Sequence, residues 1–352
     1  MTGMTGASTT DAIIHAIPLP ALLIGQDMRI IAANSGAAAI LSAPTIGGHV
    51  ALSLRQPGVL AAIEACRATG AAQEARYLGD ESGQEANYDV HCTPVKGGVL
   101  LCLSDISQAM QTDRMRRDFV ANVSHELRTP LTALSGFIET LQGPARGDVA
   151  ATDRFLDIMQ GEAARMERLV HDLLSLSRVE AVARQRPKAR VDLGAIVQTA
   201  LSALRGVAER GGATIAADLP ETPLHILGDS DQLRQLCMNL VENAVKYGGQ
   251  DGRVEVSVTH EAHNAALRGP AAILSVRDHG AGIDPVHIPR LTERFYRIDS
   301  HRSRQMGGTG LGLAIVKHIA QRHRGRLKVH STLGAGCEFI VALPLADPSP
   351  AR

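Results

Sequence analysis

The stretch from Asp105 to Leu141 constrains the fold more than any other part of this sequence, because its only glycine is Gly136. Its apolar residues recur every three or four positions, at Val120, Val123, Leu127, Leu131, Leu134, Ile138 and Leu141. This spacing predicts an amphipathic helix with a seam like that of a coiled coil.

A second helix is predicted from about Ala150 to Val179, after a break at Gly143, Pro144 and Gly147. Its apolar residues also share one face, at Phe155, Met159, Met166, Leu169, Leu173 and Leu176. The two helices are expected to form an antiparallel hairpin. A lone hairpin would leave much apolar surface in water, so the pattern favours a four-helix bundle formed by a homodimer.

The rest of the chain divides on either side of this hairpin. A length of 352 residues, 45% of them hydrophobic and 20% charged, fits two or three globular domains. The predicted segments are a disordered start (1–10), a small α+β domain (11–106), the hairpin (107–182), a basic linker (183–190), a helical layer on a mixed sheet (191–346) and a loose tail (347–352).

Composition excludes several classes of protein. A net charge of zero and 3% aromatic residues argue against direct nucleic-acid binding. The five cysteines show no metal-ligand spacing, which favours buried thiols in a reducing compartment. No stretch predicts a membrane span or a signal peptide. The chain as given is expected to be cytoplasmic, or at the inner face of the membrane if its natural start lies upstream.

The first chemical motif runs from Ser124 to Pro130 within the predicted helix. A neutral imidazole such as that of His125 is a competent nucleophile near pH 7. Glu126 lies beside it and can accept the proton of the other ring nitrogen. Thr129 follows one turn later on the same face, and Pro130 should bend the helix. By itself, a histidine in a helix is more often an ordinary surface residue.

The second motif places four polar residues on one face of a predicted helix, at Asn239, Glu242, Asn243 and Lys246. Amide and carboxylate oxygens suit Mg²⁺, and a lysine can pair with phosphate. The alternative is a solvated polar face without a ligand.

Two glycine-rich motifs follow, Asp278-His279-Gly280-Ala281-Gly282-Ile283 and Gly307-Gly308-Thr309-Gly310-Leu311-Gly312-Leu313. Glycines allow close approach of a ligand, and an aspartate at a strand end can accept a hydrogen bond from an exocyclic amine. A glycine-rich turn that opens a helix presents N–H groups to an anion. The polar segment between them, Asp284–Met306, is interpreted as a mobile lid.

In their order and spacing, these motifs resemble those of sensor histidine kinases. His125 and its neighbours resemble the phosphoacceptor box. The later motifs resemble the N, G1 and G2 boxes of the GHKL, or Bergerat-type, α/β sandwich ATPase fold shared with DNA gyrase. Glu293–Arg297 resembles the F box, and the run from His287 to Asp299, followed by Ser303-Arg304-Gln305, is similar to kinases of the phosphate regulon.

That resemblance implies a protein-histidine kinase that uses ATP and Mg²⁺. It phosphorylates itself on His125 and passes the phosphoryl group to an aspartate of a response regulator with a PhoB-like receiver domain. Asn243 and Glu242 are the implied metal ligands, and Thr129 is implied in dephosphorylating the partner. The implied nucleotide contacts are Asn239, Asn243, Lys246, Tyr247, Asp278, Gly280, Gly282, Ile283, Arg297, Gly308, Thr309, Gly310, Leu311, Gly312 and Leu313.

The sequence departs from the family pattern in three ways. His279 replaces the usual asparagine, Ala281 replaces the usual proline, and the N-terminal membrane helices common in phosphate-regulon kinases are absent. Either the start is truncated or the protein is a soluble variant.

Residues 11–106 resemble a PAS sensor domain, with Asn34 after the second predicted strand; the alternative is a structural dimer spacer. Two rival functions remain for the whole chain, an ATP-driven conformational machine and a non-catalytic scaffold. The nucleophilic histidine disfavours the first, and the intact ATP motifs disfavour the second.

Overall fold

The computed structural model describes residues 4–41, 44–81, 84–182, 185–248, 252–298 and 308–346. The chain forms two compact units, Met1–Ala121 and Asn122–Arg352. Part of the predicted lid, including Ser303-Arg304-Gln305, lies outside the described residues, as do Gly307 of the glycine-rich motif and the predicted tail.

The first unit is built on an antiparallel sheet with the strand order β2-β1-β5-β4-β3. Its strands are β1 (Ala21–Gly25), β2 (Ile30–Ala33), β3 (Gln73–Glu81), β4 (Gln84–Val95) and β5 (Gly98–Asp105). The helices are α1 (Met4–Ala16), α2 (Ser35–Ile40) and α3 (Pro57–Thr69), with a 3-10 turn at Val50–Leu52. The core lies between α3 and the sheet, where Ile63 and Leu101 are fully buried.

Two elements of this unit differ from the sequence-based prediction. The predicted disordered start is helical from Met4, because α1 is rich in alanine and buries Ile14 near the sheet. Strand β3 was not predicted, because it contains no valine, isoleucine or threonine and only one aromatic residue, Tyr77. Strand β3 is held in extended conformation by its pairing with β4, in which Tyr77 lies opposite Tyr88.

The two long helices are α4 (Ser107–Gln142) and α5 (Val149–Ala181). Asp148 caps α5 by accepting a hydrogen bond from Ala151 N at 3.0 Å. Phe137 and Phe155 stack across the hairpin with ring centroids 5.3 Å apart. Pro130 lies inside α4 and is buried, so this helix contains one position without a backbone donor.

The C-terminal part of the second unit is a five-stranded sheet with the order β11-β12-β10-β9-β7. Its strands are β7 (Thr214–Asp218), β9 (Arg253–Asn264), β10 (Gly269–Asp278), β11 (Arg326–Ser331) and β12 (Cys337–Pro344). Strand β7 pairs with β9 in parallel, and the other pairs are antiparallel, so the predicted mixed sheet is confirmed. A separate small sheet joins β6 (Arg190–Asp192) to β8 (His225–Leu227).

Three helices accompany this sheet, α6 (Leu193–Arg210), α7 (Ser230–Tyr247) and α8 (Gly312–Arg322). Asp192 and Asp229 cap α6 and α7 through their side chains. Helix α8 begins at Gly312 and not at the predicted Thr309, because the glycine-rich motif forms a turn ahead of it. Residues 183 and 184 of the predicted linker lie outside the described residues, and its last residue belongs to β6. No helix of the described ranges is long and apolar enough to cross a membrane.

Candidate functional site

A cavity of about 1050 Å³ lies within the second unit, between α5, α7, the end of β10 and the turn before α8. Most of the predicted nucleotide-binding residues line it: Asn239, Asn243, Lys246, Tyr247, Asp278, Gly282, Ile283, Arg297, Gly308, Thr309, Gly310, Gly312 and Leu313. Gly280 and Leu311 are not in its lining. Helix α5 forms part of the wall, a contribution that the sequence did not predict.

Asp278 is the buried carboxylate of this cavity, with 4% of its surface exposed at the end of β10. Its Oδ1 accepts a hydrogen bond from Gly280 N at 3.0 Å. Burial raises the pKa of the Asp278 carboxyl, and the backbone N–H groups of Gly280 and Cys337 partly offset that rise. The pKa of the adjacent Cys337 thiol is raised to about 12, first by burial and then by the nearby Asp278 charge, so this thiol stays protonated.

Two glycines of the motifs are required by geometry. Gly282 has φ +71°, and a Cβ there would lie 2.1 Å from Thr332 O. Gly310 has φ +73°, and a Cβ there would lie 2.9 Å from Phe295 Cα. Both backbones therefore approach neighbouring chain segments too closely for any other residue.

Helix α7 presents its polar face to the cavity as the sequence predicts. Asn239 Nδ2 donates to Gly312 O at 3.4 Å, which connects this face to the first residue of α8. Lys246 Nζ lies 3.4 Å from Glu242 Oε2 and donates a hydrogen bond to it. The carboxylate and amide oxygens of Glu242, Asn239 and Asn243 thus line the same cavity as the ammonium group of Lys246.

A contact from α5 reaches the glycine-rich turn. Thr309 Oγ1 donates to Asp172 Oδ2 at 2.6 Å. Burial raises the pKa of the Asp172 carboxyl, an effect that the Thr309 hydrogen bond opposes. Asp172, which lies between Leu169 and Leu173 of the apolar seam of α5, was not predicted as a site residue.

His125 lines a second, smaller cavity of about 300 Å³. Its other walls are Asn122 and Glu126 of α4, and Arg290, Glu293, Arg294, Phe295 and Tyr296 of the segment after β10. Tyr296 is held by the Arg290 guanidinium 4.3 Å above its ring and by His287 Nδ1, 2.7 Å from its hydroxyl. The segment that resembles the F box therefore lies directly beside the predicted nucleophile.

Glu126 is paired with arginines in this arrangement. Its Oε2 accepts hydrogen bonds from Arg165 Nη2 at 2.9 Å and from Arg297 Nη2 at 3.3 Å. Arg297 also donates to Gly308 O. Arg297, which the sequence predicts to contact nucleotide, thus connects the glycine-rich turn to the Glu126 carboxylate next to His125.

Thr129 Oγ1 donates to His125 O at 3.1 Å, within its own helix. This is the backbone interaction common for threonine in helices. Farther along α5, Glu180 pairs with Arg294 and lies 3.4 Å from His318 Nε2, so the hairpin contacts both the F-box segment and α8.

Comparison with known proteins identifies the two parts of the second unit. Residues 115–182 match the His Kinase A (phospho-acceptor) domain. Residues 228–347 match the histidine kinase-, DNA gyrase B- and HSP90-like ATPase family. The phosphate regulon sensor protein PhoR of Pseudomonas aeruginosa is 40% identical over 240 residues, which are 68% of this chain and 52% of that protein. The chain belongs to the sensor histidine kinases.

Other histidine kinases match a similar share of the chain. The sensor protein kinase WalK of Staphylococcus saprophyticus is 37% identical over 247 residues, which are 70% of this chain and 39% of WalK. The chain therefore spans about half or less of the length of these two relatives. A solved complex of the histidine kinase ThkA with the response regulator TrrA covers 95% of this chain and 98% of its own, at a TM-score of 0.51 and 16% identity. That likeness shows a shared fold alone.

Proposed function

We propose that this histidine kinase transfers the γ-phosphoryl group of ATP to His125 and then to an aspartate of a response regulator. The observation that carries the proposal is that the segment from Arg290 to Arg297 adjoins both cavities. It lines the small cavity with His125 and continues to Arg297, which lines the large cavity with the glycine-rich turn. A phosphoryl transfer requires the nucleotide and the nucleophile to be brought close together, and this segment borders the proposed sites of both.

In the proposed binding mode, the buried Asp278 accepts a hydrogen bond from the exocyclic amine of adenine. Lys246 and the N–H groups around Gly310 and Gly312 face the phosphates, because the turn opens α8 and its free N–H groups favour an anion. Tyr247, Ile283 and Leu313 cover the remainder of the base and ribose. These assignments are supported by the shared cavity lining.

The cavity also suits a magnesium ion. Glu242, Asn239 and Asn243 offer hard oxygen ligands on one face of α7, beside the proposed phosphates. Asn243 and Glu242 are the proposed ligands. Bound Mg²⁺ would neutralise charge on the phosphates. Lys246 pairs with Glu242 in this structure and is placed to exchange that carboxylate for phosphate.

In the proposed reaction, one ring nitrogen of His125 forms a bond to the γ-phosphorus while the bond to the bridging oxygen of ADP breaks. The other ring nitrogen loses its proton to Glu126 or, through that carboxylate, to water. The phosphoryl group then passes from His125 to an aspartate carboxylate of the receiver domain. Thr129 is proposed to orient the water that later hydrolyses that aspartyl phosphate.

A PAS-like role for the first unit is supported by its strand order and helices. The order β2-β1-β5-β4-β3 places β5 in the centre with β1 and β4 beside it, and α2 and α3 lie between β2 and β3 in the chain. Asn34 is buried and caps α2 while its Nδ2 donates to Leu19 O at 2.7 Å. We propose that this unit senses a signal and that the molecule is a homodimer.

The phosphate regulon is the proposed pathway, supported by the motif similarity and by the PhoR match. Because WalK matches a similar share of the chain at a similar identity, kinases of the WalK type are the second candidate. The two candidates are distinguished by measuring, over seconds, the rate of phosphoryl transfer from the phosphorylated protein to purified receiver domains of each pathway. The faster receiver identifies the pathway.

The reaction is tested by incubating the full chain with γ-labelled ATP and Mg²⁺. Acid-labile, alkali-stable label is expected, as for an N–P bond. His125→Gln should abolish the label and keep ATP binding, whereas His260→Gln on exposed β9 should keep both. Full labelling of His125→Gln would refute the assignment.

A further inference from the structure

Glu126 uses one carboxylate oxygen for both of its arginine partners. Oε2 receives the Nη2 groups of Arg165 and Arg297 at 2.9 and 3.3 Å. Within the described ranges, no hydrogen bond or ion pair involves Oε1. The guanidinium groups therefore leave the second oxygen for another donor.

The two arginines come from different parts of the unit. Arg165 belongs to α5, so its bond to Glu126 lies within the hairpin and does not depend on the position of the ATPase domain. Arg297 belongs to the segment after β10, so its bond exists only while that domain lies against α4. Arg165 also has the closer contact, its side chain is 11% exposed, and Glu162 lies 3.7 Å from it.

We infer that Arg165 is a positioning residue for phosphorylation of His125. By holding Oε2, Arg165 fixes the carboxylate so that Oε1 remains for the ring N–H of His125. This inference rests on the proposed function, in which Glu126 accepts that proton. A charge-assisted bond across the hairpin restricts a long side chain that would otherwise sample several rotamers. Arg165 is expected to raise the rate of phosphoryl transfer without affecting ATP binding, because it does not line the nucleotide cavity.

The test uses Arg165→Met, which keeps the side-chain length and removes the charge, and Arg165→Lys, which keeps the charge without the planar fork. Autophosphorylation of the full chain is measured over a range of ATP concentrations. Arg165→Met should lower kcat about tenfold and leave the KM for ATP within about twofold. Arg165→Lys should recover part of that loss. Arg154→Met, on the exposed face of the same helix, is the matched control and should have no effect.

Combination with Glu126→Gln distinguishes positioning from a general structural role. If Arg165 acts through Glu126, Arg165→Met should cause no further loss of kcat in the Glu126→Gln background. Equal losses in both backgrounds, or an unchanged kcat in Arg165→Met while Glu126→Gln is impaired, would overturn this inference alone. Full activity of Glu126→Gln would remove the base from the proposed function and the inference with it. Should Arg165→Met fail to fold, Arg165→Lys carries the same comparison.

Discussion

Thr309 Oγ1 and Asp172 Oδ2 are 2.6 Å apart and form a hydrogen bond between the glycine-rich turn and the hairpin. The carboxylate at this contact is 19% exposed and lines the cavity assigned to nucleotide. An anion at that position would oppose the phosphates of bound ATP, so we expect this contact to compete with nucleotide binding.

Asp172→Asn should therefore tighten ATP binding by about fivefold, the change expected from removing roughly 1 kcal/mol of repulsion. Isothermal titration with a non-hydrolysable ATP analogue measures the dissociation constant. Asp157→Asn, an exposed acidic residue on the same helix, is the control. Weaker binding by Asp172→Asn would instead make Asp172 part of the nucleotide site.

Asp278 gives the prediction for base recognition. Asp278→Ala should raise the ATP dissociation constant at least tenfold, because a charged hydrogen bond to the adenine amine is lost. Asn243→Ala should reduce autophosphorylation because a proposed oxygen ligand of Mg²⁺ is lost. ATP binding and phosphate labelling of both variants are measured on the same preparations, with Asp218→Ala on β7 as the control. Unchanged ATP affinity in Asp278→Ala would contradict the adenine assignment.

The third prediction is that mutation of Thr129 separates autophosphorylation from dephosphorylation of the partner. Its hydroxyl donates to His125 O, and its side chain is exposed one turn beyond His125, where the proposed receiver would dock. Thr129→Ala should keep autophosphorylation and lower dephosphorylation of the partner by about tenfold or more, while Thr129→Ser keeps both. If the hydroxyl only supports the helix, both activities and the melting temperature of Thr129→Ala will fall together.

The fourth prediction concerns association of the hairpin helices between two chains. Leu131 is 56% exposed on α4 and Leu174 is 54% exposed on α5, an exposure that dimer formation would remove. Sedimentation of the full chain at micromolar concentration should give a dimer. Leu131→Lys should shift it toward monomer, whereas Leu227→Lys, an equally exposed position on β8, should not. A monomeric wild-type chain would contradict the prediction.

The fifth prediction is that protonation of the buried His323 makes the stability of the fold depend on pH. Its Nε2 accepts from Asp229 N at 3.0 Å while Nδ1 bonds Ile319 O at 2.8 Å, so the ring is neutral in the fold. Burial lowers the pKa of His323 below 6.5. Because the folded pKa is the lower one, this stabilisation is present above pH 6.5 and is lost as the pH falls through the folded value.

The melting temperature of the wild-type chain should therefore drop between pH 7.5 and pH 5. The drop should be smaller in His323→Gln, which has no proton to bind, and unchanged in His330→Gln, where the histidine is exposed. Calorimetry at several pH values measures both. An identical pH dependence in the wild type and His323→Gln would show that other groups cause it.

The sequence predicted those parts of the site that depend on local chemistry. The polar face of α7 follows from helical spacing, and Gly282 and Gly310 occupy the positive φ angles that glycine favours. Asp172 and Arg165 were missed because their partners Thr309 and Glu126 are 137 and 39 residues away in the chain. Only the packing of the ATPase domain and of α5 against α4 brings them together.

The fold shows the same difference between elements set by local sequence and elements set by long-range packing. The long helices and most strands were predicted within a few residues, because their apolar periodicity is strong. Strand β3 exposes alternate residues and carries little strand preference of its own. Its existence depends on β4, which no local pattern could reveal.

The proline inside α4 has a mechanical consequence. Pro130 has no N–H, so the carbonyl of Glu126 loses the donor that an unbroken helix would supply four residues later. Helix α4 is therefore softest in the turn that carries His125, with firmly bonded turns on either side. We expect local bending at this turn to reorient the imidazole between the proposed nucleotide and receiver without unfolding the hairpin. Amide hydrogens near this turn should exchange with solvent faster than those near Leu141.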